Sequence, residues 1–141
     1  MRKIAVVYWS STGNTEAMAN AVAEGAKAAG AEVSVFEAAE FSAEKTDDFE
    51  AVAFGCPAMG DEVLEETEFE PMFEACEAKL AGKRIVLFGS YGWGDGQWMQ
   101  DWEERCRNHK AELVADSVIC EEMPDDKGLE KCRALGKTLA V

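Results

Sequence analysis

Ser10-Ser11-Thr12-Gly13-Asn14-Thr15 is the stretch of this chain best equipped to hold an anion. Its side chains are hydroxyls and an amide, and Gly13 permits a sharp turn and close backbone approach. The apolar run Ile4 to Tyr8 precedes it, and an amphipathic run, Glu16 to Ala29, follows. Strand, tight loop and helix is the order in which an open α/β fold builds a ligand site at the carboxyl end of a strand. The first backbone N–H groups of the helix lack intrahelical partners, so loop and helix end form an anion site without lysine or arginine. Read alone, Ser10-x-Thr12-Gly13-x-Thr15 equally describes a polar turn with an N-cap threonine.

The lack of positive charge narrows the ligand. A nucleoside-triphosphatase loop needs Gly-Lys-Ser/Thr, and here the residues are Gly13-Asn14-Thr15. The three-glycine dinucleotide fingerprint is also missing. A loop of neutral donors suits one terminal phosphate.

Two later loops add a flat ring to that phosphate. Pro57-Ala58-Met59-Gly60-Asp61-Glu62 follows the apolar run Ala51 to Cys56. Met59 offers a soft apolar surface, Gly60 lets the backbone take conformations other residues resist, and Glu62 accepts from a ring N–H. Each taken singly also fits a plain turn, and Met59 a core position. Gly89-Ser90-Tyr91-Gly92-Trp93-Gly94-Asp95-Gly96 is the third loop. Trp93 lies between two glycines, outside any regular core element, and reads as a stacking surface. Trp98 and Trp102 lie at helical spacing and read as packing; Trp9, just before the first loop, fits packing or the site, with packing preferred.

A flat aromatic ligand with one phosphate, held by neutral donors and stacked by Met and Trp, describes flavin mononucleotide. At these three loops the chain resembles the flavodoxin family, specifically its short-chain members, and the resemblance covers the whole length. It implies a three-layer α/β/α domain over residues 1–141, with a five-stranded parallel sheet in the order 2-1-3-4-5 and FMN at the switch point. It implies that Ser10, Thr12, Asn14 and Thr15 bind the phosphate, with Gly13 shaping the loop. Ser11 stands where glycine is frequent. Pro57 stands where some relatives place a hydroxyl, which removes one phosphate donor. Met59 and Trp93 cover the two ring faces, Glu62 binds N3, and Ser90 and Gly92 border the pyrimidine side. The Gly60-Asp61 peptide flips on one-electron reduction, so that the Gly60 carbonyl accepts from flavin N5. Ala58, Tyr91, Gly94 and Asp95 complete the expected cofactor-binding set.

Elements to position these loops are legible in the periodicity. Met18, Ala21, Val22, Gly25, Ala26 and Ala29 make one face of the first helix, whose small residues point to close helix–sheet approach. Gly30 ends that helix. Glu32 to Phe36 alternates, as an edge strand does. Ala38 to Lys45 is weakly helical. Ala51 to Cys56 and Arg84 to Phe88 are apolar without alternation, as strands covered on both faces are. A helix runs from about Glu66, with Pro71 early in it. Another spans Gln97 to Asn108. A last strand covers Leu113 to Cys120, and a last helix Leu129 to Ala140. This β-α alternation is a doubly wound parallel sheet.

The bulk properties set bounds on this picture. With 141 residues the prior is one domain with a sizeable core. No apolar run approaches the ~20 residues of a membrane span, and the apolar segment after Met1-Arg2-Lys3 reads as a strand, not a signal peptide. Against 14 basic residues stand 28 acidic ones, net −14, which disfavours nucleic acid and anionic membranes and favours basic protein surfaces. That charge also favours a monomer. Five widely spaced cysteines carry no Cys-x-x-Cys pair and no disulfide framework, so the expected setting is the reducing cytoplasm.

The function implied is a low-potential one-electron carrier, cycling chiefly between FMN semiquinone and hydroquinone, for redox enzymes with basic docking faces (ferredoxin/flavodoxin reductases and oxidoreductases). Asp61, Glu62, Glu65, Glu66, Glu68 and Glu70 put six acids within ten residues of the expected ring edge. At ~12 Å in near-water dielectric each costs a reduced flavin anion about 0.3 kcal/mol, so six give about 2 kcal/mol, or roughly 80 mV before screening. The alternative is an FMN-dependent NAD(P)H quinone or azo reductase. That enzyme needs room over the flavin and a nicotinamide site, and no basic residue waits for one; His109 lies far in sequence from the loops. A receiver domain is excluded, because its acidic pair and aspartate are replaced by Trp9-Ser10 and Gly55-Cys56-Pro57.

Overall fold

The computed structural model of the chain describes residues 2–60 and 62–141. The element order is β1 (Lys3–Tyr8), α1 (Asn14–Ala28), β2 (Glu32–Glu37), α2 (Ala43–Thr46), β3 (Ala51–Gly55), α3 (Phe69–Cys76), β4 (Arg84–Tyr91), α4 (Gln97–Asn108), β5 (Glu112–Leu113), β6 (Val118–Glu121) and α5 (Asp126–Ala140). Short 3-10 turns cover Ala38–Glu40 and Glu77–Lys79.

Every pairing is parallel, and the strands run β2-β1-β3-β4, with β5 and β6 end to end along the outer edge of β4. Β5 pairs Arg84 and Ile85, while β6 pairs Phe88 to Tyr91. The single last strand expected over Leu113 to Cys120 is therefore two pieces, interrupted at Val114 to Ser117. The order 2-1-3-4-5 holds when the two pieces are taken as one strand. Β2 is the edge expected from its alternation.

The sheet divides the core by the two-residue period of its strands. Ala5, Val7, Val52, Phe54, Ile85 and Leu87 face one apolar layer, with α3 and α4. Ile4, Val6, Ala51, Ala53, Val86 and Phe88 face the other, with α1 and α5. Trp98 and Trp102, each 2% exposed, are core residues as their spacing predicts. Trp102 packs edge-on against Phe69 and Phe73, with centroids at 5.4 and 5.6 Å.

The alanines of α1 pack in the layer it shares with the sheet, and Gly25 serves a second contact. A Cβ on Gly25 would lie 1.9 Å from the Arg133 carbonyl oxygen, and one on Gly136 would lie 1.9 Å from that of Val22. At these two glycines α1 and α5 meet backbone against backbone, a contact the helix pattern of α1 does not show.

Two boundaries move for identifiable reasons. The helix expected from Glu66 starts at Phe69. The buried Glu65 carboxylate accepts from the backbone N–H groups of Thr67, Glu68 and Phe69 at 2.8 to 2.9 Å, and from the Thr67 hydroxyl, holding this stretch as a turn. Burial pushes the Glu65 carboxyl upward, but the hydrogen bonds from Thr67, Phe69 and Glu68 outweigh it and leave the group below its ordinary range. The last helix starts at Asp126, three residues before the expected Leu129, because Asp125 caps it and accepts from the Gly128 N–H at 2.8 Å.

Candidate functional site

A cavity of about 200 Å³ opens at the carboxyl end of β1, β3 and β4. Its walls are Ser10, Ser11, Thr12, Asn14 and Thr15 from the first loop, Pro57, Ala58 and Met59 from the second, and Ser90, Tyr91 and Gly92 from the third. The three loops that sequence joins only by inference meet in one place. Glu122, from the loop after β6, is a fourth wall that sequence reading missed. Its position at a strand's carboxyl end was the available signal.

Strand hydrogen bonds continue past the sheet and hold the loops together. The Trp9 N–H donates to the Gly55 carbonyl at 3.0 Å, that of Cys56 to Phe88 at 3.1 Å, and that of Ala58 to Ser90 at 3.0 Å. The Glu122 N–H donates to the Tyr91 carbonyl at 2.7 Å. A Cβ on Gly89 would lie 2.2 Å from the Cys56 carbonyl oxygen, so the floor of the site depends on glycine there.

Gly13 is itself the N-cap of α1, at φ +95°, and no side chain caps the helix. The N-cap threonine of the alternative reading is therefore not realised. Ser10 Oγ instead accepts from the Gly13 N–H at 3.1 Å, folding the loop back on the helix end. The opening N–H groups of α1 face a cavity with hydroxyl and amide walls and no lysine or arginine among its lining residues. Thr15 is 1% exposed, and its hydroxyl lies 2.8 Å from that of Ser90.

In the second loop, Met59 and Val63 exchange backbone hydrogen bonds at 2.8 and 3.0 Å and pin the turn between them. Gly60 has φ +47° with nothing within 4 Å of where a Cβ would stand, and Glu62 has φ +58°. Glu62 Oε1 is buried and finds no hydrogen-bond partner among the described residues. It lies 2.5 Å from where a Cβ on Gly94 would be, which brings second and third loops into contact. Asp61 lies outside the described residues.

The third loop is shorter than expected, because β4 continues through Gly89, Ser90 and Tyr91. Trp93 is 63% exposed, in a run of bends from Gly92 to Gly96. Gly13, Gly60, Glu62, Trp93, Gly94 and Asp95 are not among the cavity's walls. Trp9 is partly buried on the core, as expected, with its indole N–H donating to Glu68 at 3.0 Å.

Of the acids between Glu62 and Glu70, two are tied into the protein rather than free. Glu65 is 5% exposed and shapes the turn before α3. Glu70 makes two hydrogen bonds to Arg105, at 2.6 and 2.8 Å, and Arg105 also binds Glu77 at 2.8 Å. Arg105 lowers the Glu77 carboxyl, more by its hydrogen bond than burial raises it. The Coulombic estimate of six equal acids overstates their field, since Arg105 offsets Glu70. Tyr8, behind the first loop, is pushed up to about 12 by burial and then by its 2.9 Å hydrogen bond to Glu16. His109 pairs with Glu77 at 2.8 Å and not with any of the loops.

These residues fit FMN on two observations. Neutral donors at a helix N-terminus suit a monophosphate, and a buried carboxylate oxygen without a partner among the described residues suits a ring N–H.

The comparisons with known proteins agree. The family model for Flavodoxin matches residues 6–136. The chain is 43% identical to the flavodoxin of Clostridium beijerinckii over 135 residues, covering 96% of this chain and 97% of that one. It is 44% identical to the flavodoxin of Megasphaera elsdenii over 140 residues, covering 97% and 98%. The solution structure of two-electron reduced Megasphaera elsdenii flavodoxin superposes with a TM-score of 0.90 at 42% identity, covering 97% of this chain and 98% of the other. A flavodoxin from the domain Archaea gives 0.85 at 31% identity, covering 98% and 96%. Fold, loops and relatives converge, and this chain belongs to the flavodoxin family, as a carrier of electrons on FMN rather than an enzyme.

Proposed function

We propose that the chain holds FMN with its phosphate at the N-terminus of α1 and its ring against the second and third loops, as one flavodoxin-like domain over residues 1–141. The observation that carries this is the cavity where those loops meet, with neutral donors on the first loop and Glu122 on the wall beyond β6. Ser10, Thr12, Asn14 and Thr15 donate to the phosphate, joined by the first N–H groups of α1. Ser11 contributes backbone at the same loop. Pro57 and Ala58 wall the cavity without a hydroxyl, so the first loop supplies the side-chain donors. Met59 and Trp93 cover the ring faces; the exposed indole has no packing role that would account for it. Glu62 accepts from the ring N–H nearest it, which satisfies its buried oxygen. Ser90, Tyr91 and Gly92 border the opposite edge, and Gly94 and Asp95 shape the loop that carries Trp93.

Bound FMN supplies the redox chemistry, one electron at a time. The chain sets the energy of each electron. Gly60 lets its carbonyl turn toward a protonated ring nitrogen, while Met59 and Val63 keep the turn's ends fixed. Excess negative charge, −14 in all, disfavours an added anion and draws basic partner surfaces by long-range attraction. The partners are redox enzymes with basic docking faces. The carrier works as a monomer in the cytoplasm; its free cysteines support a reducing setting.

Anaerobic reductive titration of the FMN-loaded protein, followed by visible spectra, tests this. A distinct spectrum between the oxidised and fully reduced forms supports the carrier. Direct bleaching in one two-electron step favours the quinone reductase instead. Failure to bind FMN overturns the site.

A further inference from the structure

Cys120 and Cys132 belong to the α1/α5 side of the sheet, whereas Cys56, Cys76 and Cys106 lie in the α3/α4 layer. Cys120 is on β6, paired with Ser90 of the cavity wall. Its sulfur sits on the first turn of α5, 2.7 Å from where a Cβ on Gly128 would be. Cys132 is four residues beyond Gly128 on the same helix, hence one turn along the same face. A side chain on a helix leans toward the helix N-terminus, so Cys132 leans back toward the turn of Gly128, against which the Cys120 sulfur sits. They differ in access, since Cys120 is partly exposed and Cys132 is fully buried.

We propose that Cys120 and Cys132 are a reversible oxidation site, at which a hydroperoxide oxidises Cys120 and Cys132 resolves the product to a disulfide tying β6 to α5. Only Cys120 meets an oxidant from solvent. Its thiolate attacks a peroxide oxygen, the O–O bond breaks, and the sulfur becomes a sulfenic acid while water or an alcohol leaves. The Cys132 sulfur then attacks the sulfenic sulfur, the S–O bond breaks, and a second oxygen leaves as water. Two thiols lose two electrons and one peroxide gains them.

The local chemistry favours Cys120 as the reactive member. The neighbouring Cys132 thiol lowers the pKa of Cys120, with help from Lys131, against burial and the Asp125 charge, and the same neighbour raises that of Cys132. Its seat at a helix N-terminus acts in the same direction. The other three cysteines are pushed up by burial and serve as internal controls. None of this depends on the cofactor reading.

Treatment of the holoprotein with one equivalent of hydrogen peroxide, followed by intact mass and peptide mapping, tests it. The expected result is loss of two hydrogens, restored by dithiothreitol, with Cys120 and Cys132 peptides cross-linked and the other three thiols intact. In Cys132→Ser the Cys120 sulfenic acid should persist and be trapped by dimedone; in Cys120→Ser both signals should vanish. An unchanged wild-type mass overturns the proposal. So does wild-type Cys120 gaining two or three oxygens without a cross-link.

Discussion

The hydroxyls of Thr15 and Ser90 lie 2.8 Å apart, both buried, although 75 residues separate them. One lies in the first turn of α1 and the other next to the end of β4, so their contact closes the cavity between first and third loops. Thr15→Val keeps the shape and removes the hydroxyl. It should cost about 1 kcal/mol in stability and weaken FMN binding by about tenfold. Denaturant unfolding of the apoprotein and its fluorescence titration with FMN measure the two effects separately; unchanged affinity would place the phosphate elsewhere.

Gly60 is the second test. A methyl group there meets nothing, so Gly60→Ala acts through its φ of +47° alone, at roughly 1–2 kcal/mol. On the proposed role of Gly60, that cost falls on the turned backbone that accepts from the ring nitrogen. The gap between the two one-electron potentials should narrow, while FMN affinity of the oxidised protein changes little. Spectroelectrochemistry reads both potentials.

The α1–α5 crossing predicts a purely structural failure. Gly25→Ala and Gly136→Ala each force a methyl group onto a carbonyl oxygen of the partner helix. Each should lose about 1–3 kcal/mol or more, as overpacking does. The double variant should lose less than the sum, because the first substitution already parts the helices. Urea unfolding of the three variants checks this.

Acid stability should depend on Glu65. Its folded-state pKa is below the ordinary carboxylate value of about 4.3. Its contribution is therefore fully present above that value and is lost as pH falls through the depressed one. Glu65→Gln should be less stable than the parent at pH 7 by roughly 1–3 kcal/mol. The difference should shrink as the carboxyl is protonated in acid. Urea midpoints at neutral and acidic pH give the comparison; a constant difference would assign the effect to packing.

Local pattern determined much of this protein. Short apolar runs without alternation, bounded by turn residues, suit strands covered on both faces, and β1, β3 and β4 are that. Helical spacing put Trp98 and Trp102 in the core, and Trp93, between glycines, outside it. Loop chemistry at Ser10 to Thr15 pointed to a phosphate because neutral donors and a helix end act locally. Tertiary structure decided what depends on distant partners. Gly25 looks the same in sequence whether it approaches a sheet or a helix; only the position of α5 selects Arg133. Glu65 and Glu70 look like two more acids until Thr67 to Phe69 and Arg105 are placed around them. Glu122 joins the cavity because β6 lies beside β4, and Cys120 comes against the Gly128 turn of α5 because β6 packs on that helix. Such pairings follow from the packing of remote segments, which no periodicity or short motif records.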